Sequence, residues 1–148
     1  MLKRIVVGTD GSDTAELAVA QAIDLANSTG ASLTIVTAYE GASRATIPAE
    51  ERAEIPGDVQ YETGPRQDIN MILDRAAGQA ERAGVEATTH ARQGDPADAL
   101  LDVAEETHAD LLVVGNKGMT GAKRFLLGSV PNKVSHHAPC SVYIVRTT

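Results

Sequence analysis

The chain reads as a doubly wound α/β domain, and three observations point there. Short apolar runs alternate with stretches of helical periodicity along the whole length. Glycine-rich turns stand where strands would hand over to helices. The run Leu111-Leu112-Val113-Val114 is continuously apolar, as in a central parallel strand covered on both faces. Its 148 residues suit one domain spanning 1–148, with no internal repeat or linker.

Taken in order, Arg4 to Gly8 is a short apolar strand ended by Thr9-Asp10-Gly11-Ser12. Residues 13–29 carry Leu17, Ala18, Ala22, Leu25 and Ala26 at helical spacing, with Gly30 as a C-terminal stop. Ser32 to Tyr39 is the second strand. Residues 40–65 hold Pro48, Pro56, Pro65 and Glu50, Glu51 and Glu54 without periodicity; they read as one long irregular stretch with a solvated charge cluster. Asp68 to Ala83 places Ile69, Ile72, Leu73, Ala76 and Ala80 on one helical face before Gly84. Val85 to Arg92 alternates as a strand with one wet face. Asp95-Pro96 opens the third helix, since Asp caps free N–H groups and Pro loses nothing at the first helical position. Its core stripe is Leu100, Leu101, Val103 and Ala104. Asp110 to Gly115 is the fourth strand, 129–138 the last helix before Pro139, and Ser141 to Val145 the last strand. Five strands alternating with four helices predict a Rossmann-like, doubly wound, five-stranded parallel sheet. Ligands of such sheets bind at the carboxyl ends of the strands, near the topological switch point.

Charge narrows the function. Twenty acids and 13 bases give a net charge of −7, which disfavours nucleic acid or an anionic membrane as partner. Residues 111–148, however, hold Lys117, Lys123, Arg124, Lys133 and Arg146 and no acid, so they carry +5. The first 110 residues, with 8 bases against 20 acids, carry −12. An acid-free C-terminal quarter suggests a bound anion. The single Cys140 excludes an intrachain disulfide and makes the cytoplasm the expected compartment. Only three apolar residues separate Arg4 from Gly8, too few for a secretory segment, and no apolar run approaches a membrane span.

The most distinctive motif is Gly115-Asn116-Lys117-Gly118, nine residues, then Gly128-Ser129-Val130. Glycines let a backbone approach a ligand closely. Gly128-Ser129 stands at the start of the last helix, where free N–H groups, the helix dipole and a hydroxyl suit a phosphate. A Gly-rich surface loop with a Ser cap is the plainer reading of the same spacing. The loop's place after the most apolar strand, and its Lys117, Lys123 and Arg124, favour the anion. A Walker loop is absent, and Gly8-Thr9-Asp10-Gly11-Ser12 is not a dinucleotide fingerprint.

With Val6-Val7-Gly8-Thr9-Asp10-Gly11-Ser12 at the start and His137-Ala138-Pro139-Cys140-Ser141-Val142 near the end, this motif resembles the ATP-binding branch of the universal stress proteins. Ser141 departs from the proline usual in that family. The resemblance implies that Asp10 accepts hydrogen bonds from ribose, where its alternative role is to cap the first helix. It implies that Gly8 and Thr9 line the nucleoside and that Ala38 offers its backbone to adenine. Gly115 would pack near the ribose, Gly118, Gly128, Ser129 and Val130 would cradle the phosphates, and Asn116 and Lys117 would flank them. Mg²⁺ or Mn²⁺ bridging the phosphates would take its oxygens from the nucleotide, with no metal ligand from protein side chains. A homodimer through Val142, Tyr143, Ile144 and Val145 is implied as well, and an apolar edge strand invites such pairing.

No catalytic residue is expected. His90 and His108 form no hydrolytic constellation. His136 and His137 read as last-turn helix residues and Cys140 as a small apolar filler. The expected function is a nucleotide-dependent stress-response and signalling module. The rivals are an adenine-nucleotide hydrolase with slow ATPase activity and an interaction protein without nucleotide binding. A cyclic nucleotide as the ligand is a narrower variant of the same reading.

Overall fold

The computed structural model describes residues 2–39, 65–116 and 129–147. Its elements are β1 (Arg4–Gly8), α1 (Asp13–Thr29), β2 (Ser32–Tyr39), α2 (Pro65–Arg82), β3 (Ala87–Gln93), α3 (Pro96–Glu106), β4 (Leu111–Gly115), α4 (Ser129–His137) and β5 (Ser141–Val145). The strands lie in the order β3-β2-β1-β4-β5 and all pairs are parallel. This is the five-strand, four-helix doubly wound sheet that the alternation predicts.

The pleat divides the apolar residues between two cores. Ile5, Val7, Leu33, Ile35 and Val113 meet α1 and α2 on one face. Val6, Val36, Leu112 and Val114 meet α3 and α4 on the other. The central strands are buried on both sides, which explains their unbroken apolar runs. Full burial of each such side chain contributes about 1.5–3 kcal/mol. In α1 the buried face is Ala18, Val19, Ala22, Ile23 and Ala26. Leu17, expected in the stripe, is 51% exposed because it falls on the outer side of the helix.

Helix ends follow local chemistry. Ser12 caps α1 by accepting the Ala15 N–H, and Gly30 ends it at φ 74°. Asp95 caps α3 through the Asp98 N–H, with Pro96 at the first position. The α2 helix starts at Pro65, three residues before the predicted Asp68, and Pro suits a first turn. The strand expected from Val85 starts at Ala87. Val85 instead donates its N–H to the Ala80 carbonyl (2.9 Å) across Gly84 at φ 77°, a Schellman ending that keeps it buried under α2. At the end of α3 the same bond runs from Ala109 to Ala104 (2.9 Å), with His108 in the left-handed position at φ 54°. The irregular stretch predicted over 40–65, Glu50, Glu51 and Glu54 included, lies outside the described residues apart from Pro65.

Asp110 ties the chain's start to β4. Its Oδ2 accepts the N–H groups of Lys3 (2.8 Å) and Arg4 (2.9 Å). Those two bonds hold its carboxyl below the usual carboxylate range. A depressed folded value stabilises the fold above the unfolded carboxylate's titration, near pH 4, and the gain is lost as pH falls through the folded value. Asp110→Asn is therefore expected to be less stable than the parent at pH 6–7, with the difference narrowing below about pH 4. Urea unfolding at several pH values reads this; a gap that does not change with pH would exclude the charge as its source.

Candidate functional site

The winding reverses at β1. Its neighbour β2 is reached over the α1 face and its other neighbour β4 over the α3 face. The carboxyl edge between β1 and β4 is thus the switch point, where crossovers leave in opposite directions and a crevice is left. Gly8 ends β1 there and Gly115 ends β4. Ala38 stands on β2 two residues beyond Val36, the register partner of Gly8.

The turn after β1 is built from its own side chains. The Thr9 N–H donates to the Val36 carbonyl (2.9 Å), which extends the β1–β2 pairing one step past the strand. The Thr9 Oγ1 accepts the Gly11 N–H (3.1 Å), and Asp10 Oδ1 accepts the Ser12 N–H (2.9 Å). These bonds fold the turn and set Asp10 with one carboxylate oxygen engaged and Oδ2 without a hydrogen-bond partner among the described residues. Asp10 does not cap α1; Ser12 does. Gly11 has φ 82°, and a Cβ there would lie 2.7 Å from Ile72 Cγ1. Glycine is required on both counts.

The predicted residues divide between the two faces. Gly8 lies against Leu100 of α3, where a Cβ would come within 2.9 Å of both Leu100 methyl carbons. Ala38 also packs on the α3/α4 core, as does buried Val130. Ser129 is exposed at the start of α4, whose first turn contains no acid. The helix runs away from the carboxyl edge, so its N-terminus faces the crevice. Thr9 departs from this group: it is buried and lines an open cleft of about 210 Å³ between α1 and α2 with Gly11, Val19, Met71 and Ile72. Sequence reasoning did not foresee this cleft, because its walls are ordinary helix positions. Glu16 and Arg75 pair at its rim across 3.4 Å. Its volume falls short of the roughly 300 Å³ at which ligand pockets usually start.

Asn116 takes a role that its neighbours in sequence do not announce. Its N–H donates to the Val145 carbonyl (2.8 Å), and its Oδ1 accepts both the N–H and the hydroxyl of Thr147 (2.9 Å each). It fixes the chain leaving β5 to the start of the glycine loop. Gly118, Gly121, Gly128, Lys117, Lys123 and Arg124 lie outside the described residues.

Lys133 is one turn beyond Ser129 on α4. Its ammonium pairs with Asp98 Oδ1 (2.8 Å) and Asp95 Oδ2 (3.4 Å) at the start of α3, which raises its pKa. Arg92 of β3 forms a forked pair with Glu106, holding the guanidinium value up and the carboxyl down. His136 and His137 end α4, with ring centroids 6.4 Å apart. Cys140 is half-buried and packs beside the α3/α4 core; burial pushes its thiol value up, away from reactivity. Among the described residues no three His, Cys, Asp or Glu side chains form a metal-binding group. No helix among them is long and apolar enough to cross a membrane.

The fold and its carboxyl-edge crevice define a doubly wound α/β domain of the kind that takes ligands at its switch point. The universal stress protein family model matches residues 1–146, and the chain belongs to that family. Universal stress protein Rv1636 of Mycobacterium tuberculosis is 41% identical over 150 residues, covering 99% of this chain and 97% of the relative. A universal stress protein crystallised in complex with cAMP superposes with a TM-score of 0.73 at 37% identity, over 99% of both chains. A third, from Archaeoglobus fulgidus in complex with dAMP, gives 0.69 at 25% identity, over 99% of this chain and 100% of that one.

The turn geometry sets an expectation for stability. Gly11→Ala should cost about 2–3 kcal/mol, from the left-handed backbone and from the clash with Ile72 together. Urea unfolding measures it; a loss under about 0.5 kcal/mol, the usual range of a neutral surface change, would show that the turn relaxes freely.

Proposed function

We propose that the chain binds ATP at the β1/β4 crevice and acts as a nucleotide-dependent stress-response and signalling module in the cytoplasm. One observation carries this reading. Gly8, Ala38 and Val130 gather on one face of the carboxyl edge, beside Asp10 and beside an α4 start that carries Ser129 and no acid. The bound cAMP and dAMP of the two relatives support an adenine nucleotide there.

Each residue then has a chemical task. Asp10, with Oδ1 held in its turn, offers Oδ2 to ribose hydroxyls. Gly8 is held to glycine by Leu100, which fills the space a side chain would take, and its backbone lines the nucleoside. Ala38 contributes backbone groups to adenine. Ser129, the free N–H groups of α4 and its dipole receive phosphate oxygens. A divalent cation such as Mg²⁺ or Mn²⁺ would be held by those oxygens. Gly115 lies beside the ribose, and Gly118 and Gly128 belong to the same phosphate loop. Asn116 serves this loop by anchoring its first residue.

The reading favours binding over hydrolysis. His108, His136 and His137 sit at the opposite, amino edge of the sheet, following α3 and ending α4. They are out of reach of the crevice as general bases. The cAMP-bound relative favours a second reading in which a cyclic nucleotide is the ligand. Mass spectrometry of nucleotide released from the denatured protein decides between them. By calorimetry, Ser129→Ala and Asp10→Asn should each weaken ATP binding by about 1.5–3 kcal/mol, the worth of a hydrogen bond to a charged group. Unchanged affinity in both variants would remove the crevice from consideration.

The β5 edge supports a homodimer. Val142, Tyr143 and Ile144 are half-buried and Val145 is buried, and among the described residues β5 pairs only with β4. An apolar edge of this kind leaves one row of backbone groups to be paired by a second copy. Ile144→Lys should yield a folded monomer, read by light scattering with circular dichroism as the control for folding. A persistent dimer would overturn this interface.

A further inference from the structure

Two helices begin side by side at the carboxyl edge, and their first turns are equipped in opposite ways. The start of α3 is supplied with its own anions, Asp95 at the cap and Asp98 in the first turn. The start of α4 has none. Lys133 stands between them. It belongs to α4 and lies four residues from Ser129, so both occupy one face of that helix. Long side chains on a helix lean back over the preceding turn, toward its N-terminus. The Lys133 ammonium accordingly reaches the level of the helix starts and touches Asp98 (2.8 Å) and Asp95 (3.4 Å). An ammonium has three donors, and two are so used.

We propose that Lys133 is a phosphate ligand kept in place by Asp95 and Asp98, and that it sets the preference of the site for the more highly charged nucleotides. The inference rests on the nucleotide reading above and deepens it. The pair with the two aspartates is exposed on both sides, at 43% for Lys133 and 51–57% for the acids, so it contributes little net stability and is readily exchanged. A phosphate at the α4 start brings more charge than one carboxylate and can draw the ammonium across a single turn. The aspartates then act in two ways. They pre-position the lysine at the edge, and they make it less available to a weakly charged ligand. A triphosphate competes for Lys133 well; a monoester or a cyclic diester competes poorly. Asp95 keeps its hold on the Asp98 N–H (3.1 Å) in either case, so α3 stays capped when the lysine leaves.

The test is calorimetry with ATP, AMP and cAMP on the parent, Lys133→Gln, Asp98→Asn and the double variant. Lys133→Gln should weaken ATP about tenfold and AMP or cAMP by less than about threefold, a contrast that loss of a structural ion pair would not give. Asp98→Asn should tighten ATP about threefold or more, and that gain should vanish when Lys133 is also changed, since the effect passes through the lysine. Equal losses for all three ligands in Lys133→Gln would overturn the proposal. So would a gain from Asp98→Asn that persists in the double variant, which would mark a simple long-range charge effect. A parent protein that binds none of the three nucleotides would overturn the nucleotide reading itself; a parent that binds them without these contrasts would overturn only the role of Lys133.

Discussion

Everything in this domain depends on β1 being paired along both edges and covered on both faces. It hydrogen-bonds to β2 on one side and β4 on the other, and Ile5, Val6 and Val7 are each at most 1% exposed. The chain leaves it for β2 over the α1 face and reaches its other neighbour, β4, from β3 over the α3 face. The two crossovers therefore leave in opposite directions at the carboxyl edge between β1 and β4, where a crevice is left. The crevice is a consequence of that constraint, present before any residue is chosen to line it. Close packing then fixes the glycines of the turn: position 8 because Leu100 occupies the space of a Cβ, and position 11, on the α1/α2 side, because α2 lays Ile72 over it.

The fold was legible in the sequence because its signals are local. Apolar run length separated the buried strands from the helices, and Gly30, Gly84 and the Asp95-Pro96 pair marked helix ends with chemistry that needs no partner. The errors arose where a residue's fate is decided by another element. Leu17 matches the helical stripe but falls outside the contact of α1 with the sheet. Val85 alternates like a strand residue, yet its N–H is claimed by Ala80 in a helix ending. At the site, the order of Asp10 and Ser12 in the turn was ambiguous by composition, since either can cap a helix. Geometry assigned the cap to Ser12 and left Asp10 to the turn and the crevice. Asn116 was invisible in its actual role, because its partner Thr147 is 31 residues away in the chain.

The charge asymmetry of the sequence resolves into different kinds of cation. Lys117, Lys123 and Arg124 fall in the glycine-rich stretch of the sequence, outside the described residues. Lys133 is tied to two of the twenty acids of the first 110 residues, across the seam between α4 and α3. The acid-rich and acid-free parts of the chain are thus complementary at this point. Sequence separation had hidden that: Asp95 and Lys133 are 38 residues apart but share the carboxyl edge.

An electrostatic consideration links this pairing to the crevice. A helix start presents a partial positive charge, and it is neutralised by the chain's own acids or by an incoming anion. At α1 and α3 the chain supplies the acids: Asp13 and Glu16 in the first turn of one, Asp95 and Asp98 at the other. At α4 it supplies none and adds Lys133 one turn below. All four described helices start at this edge, α2 with Asp68 in its first turn, and the one without an acid there is α4, which opens on Ser129. An acid placed there would have satisfied the helix and repelled a phosphate. On the proposed reading its omission leaves the dipole, the hydroxyl and the loop backbone for an anion that comes from solution.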